Sequence, residues 1–570
     1  MSTPPAPALD AAYRKRAWAK LEQGVDVLVV GGGVTGAGVA LDGSLRGLSV
    51  GLVEQRDFAA GTSSRSSKLV HGGLRYLEQL NFGLVREALR ERTLLLETLA
   101  PHLVRPLPFL LPLRHRVWER PYVGAGLTLY DTLGGLSPAV PRHSHLSKSA
   151  TLKACPSLRP DNLAGSIRYH DAQVDDARHT VELVRTAAAY GAQVLSAARV
   201  VSFRQDADGR VRGARVLDAE TGEQHEVPAR VVVNAGGVWS GRVEELAGVA
   251  RPVQMRPSKG VHVVVPRDRI DSSTALISRT KTSVLFVLPW GNTWIIGTTD
   301  TPWRHGYSHP AATHVDVTYL LLEANKVLLS DLAESDVMGL YAGLRPLIDK
   351  EGLSESALSR EHLVRRPLPG LVTVTGGKYT TYRVMAADAV DATAEDLGPL
   401  SASTTDQVPL LGAATPANVV AATASHPGAA LVSESDRTRL AERYGALLTE
   451  VLDLVRADPA LARPMRGGSG HLSVEVVYAA AYEGALHIDD VLTRRTRIYL
   501  EAGDRGLAAT GPVALLMGRV LGWDDTARAA EATRYQRRIG AELESQQSPD
   551  DDTASEVRSR SRDPRLPSLD

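Results

Sequence analysis

Three glycines, Gly31, Gly33 and Gly36, follow directly on the apolar run Val27-Leu28-Val29-Val30. A short continuous apolar run reads as a buried parallel strand, and G-x-G-x-x-G at its end reads as a turn into a helix. Glycines there let the backbone approach a pyrophosphate, and the first N–H groups of the next helix point at the phosphates. The chemistry this spacing can do is to hold a dinucleotide. Glu54 closes a second apolar run, residues 49–53, 18 residues beyond Gly36, close to the ~20 at which a carboxylate takes the ribose 2′-OH. A glycine triplet alone fits many turns. Strand, glycines, a helix over residues 37–46, strand and acid in that order make the reading specific.

Thr62, Ser63, Ser64, Ser67 and Lys68 lie in or beside a Gly/Ser/Thr-rich stretch, residues 61–67. It is too polar for a core element and offers hydroxyl and N–H donors next to the phosphate site. A loop this long and polar suits FAD, extended across a domain, better than a nicotinamide cofactor. His71-Gly72-Gly73-Leu74-Arg75-Tyr76 puts a His, an Arg and a Tyr around two glycines that let backbone pack on something flat; a glycine turn into a helix is the plainer alternative. Two later apolar runs also end in glycines. One runs through Ala235 and Gly236. The other runs through Gly376, Gly377 and Lys378 into a helix from about Thr380, whose positive N-terminal end can face an anion.

The elements that must position these groups are spread over 570 residues, enough for two to four domains. Formal net charge is zero, with 65 basic and 65 acidic residues, which gives no sign of a nucleic-acid binder. Cys155 is the single cysteine, so an internal disulfide and a Cys-clustered metal site are excluded, and no metal is expected. No apolar run approaches the ~18 residues that span a bilayer, and residues 1–10 lack the apolar core of a secretory signal. The expectation is a cytoplasmic chain, with peripheral contact on the inner face of the membrane open. Residues 1–8 are expected to be disordered and 9–23 a short basic helix; its Trp18 allows a membrane-surface reading, and an ordinary solvated lead-in is preferred. Residues 193–227 read as a β-meander, and Gly291-Asn292 as a two-residue hairpin turn. Composition turns Ala/Leu/Glu/Arg-rich from about residue 400, which predicts a helical domain, and the tail from 545 is expected to be disordered. Arg494, Arg495 and Arg497 read as a solvated or structural charged face, with a lipid or subunit contact as the minor alternative.

The segments GGGVTGAG, TSSRSSKLVHGGLRYLE, NAGGVW, SKGVHVVVP, IIGTTD, AGLRPL and TGGKYTTYR occur in an order that resembles FAD-dependent glycerol-3-phosphate dehydrogenases, over about residues 24–530. The stretch 62–78 and TGGKYTTYR are the most specific; GGGVTGAG alone fits any glycine-oxidase-like flavoprotein. The resemblance implies an α/β fold with a Rossmann-like FAD-binding domain, an antiparallel-sheet substrate domain and an all-helical C-terminal domain. The corresponding expectation is a discontinuous FAD domain over 21–100, 166–250 and 340–398, a substrate domain over 101–165 and 251–339, a helical domain over 399–544, and outer segments 1–20 and 545–570. It further implies oxidation of sn-glycerol 3-phosphate to dihydroxyacetone phosphate, hydride passing from C2 to flavin N5 and electrons going on to membrane quinone. An oxygen-using oxidase, a flavoprotein for an amino acid or 2-hydroxy acid, and a catalytically silent flavin protein are the alternatives. A homodimer is compatible with the sequence. Arg345 and Arg360 match basic residues that the family uses near the substrate phosphate, where Arg can grip two oxygens; a surface ion pair is the default for either. Lys378 is expected to bind substrate or to face the flavin where reduction builds negative charge. His262 is the preferred general base, as an imidazole near its ordinary pKa, with a hydrogen-bonded strand histidine about as well supported. His71 competes for that role or caps the flavin. Arg75 and Tyr76 are expected to line the pocket. Ser63, Ser64, Ser67 and Lys68 are expected to contact FAD.

Overall fold

The computed structural model describes residues 4–115, 117–135, 139–280, 284–349 and 362–561. The strand Val25–Val30 is almost wholly buried and pairs in parallel with Val50–Val53 on one side and Gln224–Asn234 on the other. Strands covered on both faces need apolar residues at every position rather than alternation, and VDVLVV meets that need at all but one. The sheet continues in parallel through Leu371–Gly376 beyond Gln224–Asn234 and through Gln193–Leu195 beyond Val50–Val53. His362–Leu368 closes one edge antiparallel. The helix Val34–Leu45 packs between Asp176–Ala189 and Tyr382–Asp391. Its approach to the last is close: a Cβ on Gly38 would lie 3.0 Å from Ala386 Cβ. The meander appears as Ala198–Gln205, Val211–Asp218 and the start of Gln224–Asn234, joined antiparallel.

A second, mixed sheet holds ten strands among the described residues. Its centre is Ser258–Pro266, flanked by Thr293–Gly297 and Gly339–Arg345. The expected hairpin joins Val284–Trp290 to Thr293–Gly297 through Gly291, whose φ of +50° is easy for glycine alone. Segment boundaries drawn from sequence cut across this sheet. Gly165–Val174 pairs along its whole length with Val104–Leu113, and Gly339–Arg345 with Ser258–Val264; both belong to the second sheet, not to the dinucleotide sheet. Leu69–Val70 joins it too. A strand's sequence does not say which sheet receives it, because partner strands are chosen by long-range packing.

Helices from Pro416–Ala422 to Asp525–Ser545 make up the C-terminal part. The tail departs from the expectation of disorder. Asp551–Ser559 is a helix, capped by Asp550, whose side chain accepts the Thr553 N–H, and Ala554 and Val557 are buried. Arg558 meets Glu542 at 3.0 Å and Asp551 pairs with Lys259, so a stretch of low hydrophobicity is held by ion pairs that composition does not reveal. The N-terminal helix Ala11–Glu22 likewise faces inward. Tyr13, Ala17, Trp18 and Leu21 are buried, Trp18 Nε1 donates to Asp218 at 2.9 Å, and its ring stacks on His225. Its tryptophan is therefore committed to the protein and not to a membrane surface. Arg494 and Arg495 are not a solvated face either: both are buried on Asp57, at 2.5 and 2.7 Å, and Arg497 on Asp175 at 2.7 Å. Among the described residues no helix is long and apolar enough to cross a membrane.

Candidate active site

One cleft, of about 410 Å³, runs from Glu54 to Arg345 along the ends of both sheets. Gly31, at φ +113°, takes a conformation that L side chains avoid, and a Cβ there would lie 2.6 Å from Ala235 O. A Cβ on Gly36 would come within 1.9 Å of Gly31 O. The second glycine, Gly33, caps the helix Val34–Leu45 without a side chain, and Ser63 Oγ accepts the Val34 N–H at 2.9 Å. Gly31, Gly33 and Thr35 line the cleft with Ala235 and Gly236 opposite, so first-turn N–H groups of a helix and the glycine backbone face one space. Glu54 lines the same end. Its carboxylate accepts the Gly32 N–H at 2.8 Å and the Arg56 N–H at 2.9 Å, and burial pushes its pKa up. Ala198, Arg199 and Val200 share this end with Glu54; their strand signal was legible but nothing marked them as cleft residues.

Gly377 and Lys378 follow the strand Leu371–Gly376 and line the middle of the cleft. Gly377, at φ +73°, would place a Cβ 2.5 Å from Met385 Sδ. Lys378 Nζ sits 3.5 Å above the Tyr76 ring, a cation–π contact that aims the ammonium across the cleft wall. His71 and Gly73 line the same region, and Thr380 Oγ1 accepts the His71 N–H at 3.1 Å, which ties the loop to the helix start.

His262 and Arg345 stand at the far end on adjacent strands. His262 is 3% exposed, and its ring lies parallel to Tyr341 with centroids 4.7 Å apart. Its Nε2 shares a hydrogen bond of 2.8 Å with Ser67 Oγ, and its Nδ1 is buried without a partner among the described residues. Burial, reinforced by the charges of Arg345 and Lys68, holds its pKa well below the ordinary value, so the imidazole is neutral at neutral pH. The expectation of an unperturbed histidine is thereby corrected. Arg345 donates to Asp300 at 3.0 Å, to Thr299 O at 3.1 Å and to Ser258 Oγ at 3.3 Å. Asp300 and Tyr341, the side chains that orient these two groups, were missed as site residues although IIGTTD and AGLRPL flagged their neighbourhoods.

Four expected contacts lie elsewhere, the first being Gly36, which packs against Gly31 O and does not line the cleft. Lys68 is fully buried behind the cleft wall, bonded to Asp176 at 2.8 Å and to Ser64 O at 3.2 Å. Ser64 faces away with it, its Oγ 3.5 Å from Gly61 O. Gly72 is packing rather than cleft: its N–H donates to Tyr130 at 2.9 Å, and a Cβ would meet Leu89 at 2.4 Å. Ser67 and Lys68 are neighbours facing opposite ways, and no spacing rule says which faces in. Thr62 lines the cleft with its hydroxyl donated to Leu344 O at 2.7 Å. Arg75 opens the short helix Arg75–Glu78, with its side chain outside what is described, and Arg360 lies outside the described residues.

These donors fit FAD. Close-approach glycines and a helix start suit a pyrophosphate, Glu54 a ribose, and the Gly73, Gly377 and Lys378 region a flat ring whose reduced form is anionic. Comparison with known proteins agrees. Residues 26–391 match the model of FAD dependent oxidoreductases, and residues 403–528 that of the C-terminal domain of alpha-glycerophosphate oxidase. The chain is 52% identical over 557 residues to glycerol-3-phosphate dehydrogenase 2 of Mycobacterium tuberculosis, covering 97% of this chain and 95% of that one. It is 37% identical to the human mitochondrial glycerol-3-phosphate dehydrogenase over 88% of this chain and 71% of the relative. The crystal structure of glycerol-3-phosphate dehydrogenase from Bacillus halodurans complexed with FAD superposes with a TM-score of 0.77 at 30% identity, covering 93% of this chain and 98% of that one. With its glycine cradle, two-sheet cleft and helical C-terminal part, the chain belongs to the family of FAD-dependent glycerol-3-phosphate dehydrogenases.

Proposed function

We propose that the protein oxidises sn-glycerol 3-phosphate to dihydroxyacetone phosphate, with a membrane quinone as the final electron acceptor. The observation that carries this reading is the meeting of Arg345, Lys378 and His262 in one cleft beside the glycine cradle, from segments far apart in sequence. Gly31, Gly33, Glu54, Thr62, Ser63, Ala235, Gly236 and Gly377 would hold FAD, with Gly36 letting the turn close on Gly31, and the flavin would supply the hydride acceptor. The protein's own tasks are to seat the phosphate, to take the C2 hydroxyl proton and to keep water out. Arg345, held by Asp300, Ser258 and Thr299, presents a pre-oriented guanidinium to the phosphate. His262 stands one strand away and is neutral, so it can accept the hydroxyl proton as the C–H bond breaks. A phosphate dianion on Arg345 cancels one of the two charges that depress His262, so binding substrate strengthens the base. Lys378 and His71 complete the wall. His71 is the alternative base, and a His71→Asn and His262→Asn pair compared by pH–rate profile separates them.

The acceptor side rests on the helix Glu119–Gly134. Its inner face buries Gly124, Leu127 and Tyr130, the last bonded to the His71 loop through Gly72 N–H. Its outer side and approach expose Val117, Trp118, Tyr122 and Leu129, and Leu80 and Phe82 at the neighbouring helix are exposed as well. Aromatic and apolar side chains on one outer face next to the cleft wall suit an interfacial contact with lipid. The N-terminal helix, for which a membrane surface is only the minor alternative, has its Trp18 buried.

The deciding experiment is anaerobic titration of the FAD-loaded enzyme. Glycerol 3-phosphate is expected to bleach the flavin and glycerol is not, and a quinone analogue is expected to reoxidise it faster than oxygen does. Absence of bleaching by the phosphate ester rejects the substrate; faster reoxidation by oxygen rejects the acceptor.

A further inference from the structure

A second, smaller cavity, of about 50 Å³, lies where the polar loop, the strand Gly339–Arg345 and the C-terminal helices meet. Arg65, Arg494, Arg497, Arg538 and Arg558 line it. Arg494 and Arg497 are neutralised by Asp57 and Asp490, and by Asp175 and Asp176. Against the other three, Glu542 is the only carboxylate in the wall among the described residues. It meets Arg558 at 3.0 Å and accepts the Tyr499 hydroxyl. Arg538 shares Asp489 with Arg494. The Nε atoms of Arg538 and Arg558 and the Nε2 of Gln546 are buried without an acceptor among the described residues. With Asp489 on Arg538 and Glu542 on Arg558, Arg65 is the guanidinium of this wall left without an ion pair among the described residues, so positive charge is in excess there. Burial, then repulsion by Arg56, Arg538 and Arg558, pulls Arg65 down to about 9, and burial with Arg558 and Arg56 nearby pulls Arg538 down to about 10. A guanidinium still keeps its proton at neutral pH, so an anion is the group that relieves the crowding.

We propose that this cavity is a binding site for a phosphate-type oxyanion, held by Arg65, Arg538 and Arg558, that fastens the C-terminal helices to the loop beside the catalytic cleft. The planar donor forks of arginine suit a tetrahedral oxyanion with several acceptor oxygens. The three arginines come from three segments: the polar loop, the helix Asp525–Ser545 and the helix Asp551–Ser559. An anion shared among them would tie the hairpin of the last two helices to the polar loop, in addition to the Arg558–Glu542 and Asp551–Lys259 pairs that already dock the tail. Arg65 also lines the catalytic cleft, and its carbonyl packs where a Cβ on Gly343 would lie 2.5 Å away, two residues before Arg345. Arg65 thus stands between the second cavity and the strand that carries Arg345. Inorganic phosphate and the phosphate of a small ester share the required chemistry.

The test uses full-length, FAD-loaded protein with and without Arg345→Ala, so that phosphate in the cleft is told apart from phosphate in the second cavity. Calorimetric titration of the Arg345→Ala protein with inorganic phosphate is expected to give one equivalent, and hydrogen exchange over residues 551–559 is expected to slow on binding. Adding Arg538→Gln is expected to weaken that binding about tenfold or more, from loss of one charged hydrogen bond. Competition by glycerol 3-phosphate in the Arg345→Ala protein assigns the site to an ester, and failure to compete assigns it to the free ion. No binding, binding unchanged by Arg538→Gln, or unchanged exchange at 551–559 overturns the proposal; the exchange measurement decides even if the second substitution impairs folding. Should Arg345 not hold the substrate phosphate, the parent and Arg345→Ala proteins bind the same number of equivalents, a result distinct from loss of the second site.

Discussion

Arg345→Ala tests the catalytic reading in two independent ways. The guanidinium donates to Asp300 at 3.0 Å and lies close enough to His262 to depress its pKa. Losing one charged hydrogen bond to the substrate phosphate costs about 1.5–3 kcal/mol, which raises KM about 10- to 150-fold. Arg345→Lys keeps the charge without the fork and is expected to fall between the two. The second effect concerns pH. His262 must be neutral to accept a proton, and a positive neighbour keeps it neutral to lower pH. Removing that charge raises the His262 pKa toward its ordinary value, so the acid limb of kcat/KM moves to higher pH in Arg345→Ala and not in Arg345→Lys. Steady-state rates with a quinone analogue over a pH series, on protein with FAD content matched by absorbance, read both effects. An unchanged KM removes Arg345 from the phosphate site, and an acid limb that does not move removes His262 from the proton transfer.

Other expectations follow from single features. Gly31→Ala forces a side chain into φ +113° and to 2.6 Å from Ala235 O; FAD content is expected to fall sharply while far-UV circular dichroism stays near that of the parent. Asp57→Asn leaves Arg494 and Arg495 buried without their shared carboxylate, a loss of about 3–5 kcal/mol that lowers the denaturant midpoint; an unmoved midpoint refutes the network's structural role. His471, between Glu475 and Glu501 at 2.9 and 3.0 Å, is pushed up to about 9 by those carboxylates against the opposing effect of burial. Its contribution, about 3 kcal/mol, is complete below pH 6.5 and is lost as pH rises through about 9, so His471→Gln is expected to flatten the alkaline fall in thermal stability over that window. Trp118→Ala with Tyr122→Ala is expected to reduce sedimentation with anionic vesicles and leave flavin reduction by glycerol 3-phosphate unchanged; full retention on vesicles removes this face from the membrane contact.

Local features are legible in the chain where the determinant is itself local. The cradle of Gly31, Gly33 and Gly36 and its acid Glu54 are legible because a strand, a turn and a helix are specified by neighbours a few residues apart. The hairpin at Gly291 is legible for the same reason. The helical C-terminal part shows in composition. What tertiary structure alone decided is which way charged and hydroxyl side chains face and what they meet. Ser67 turns to His262 while Lys68, the next residue, turns back to Asp176. Arg494 and Arg495 find Asp57 more than 400 residues away, and the tail finds Lys259 and Glu542. The cost of burying a charge is set by the partner's position after folding, and sequence spacing carries no record of that distance. The glycines therefore announced a dinucleotide site by themselves, and only the packing of two sheets brought Arg345, His262 and Lys378 to it.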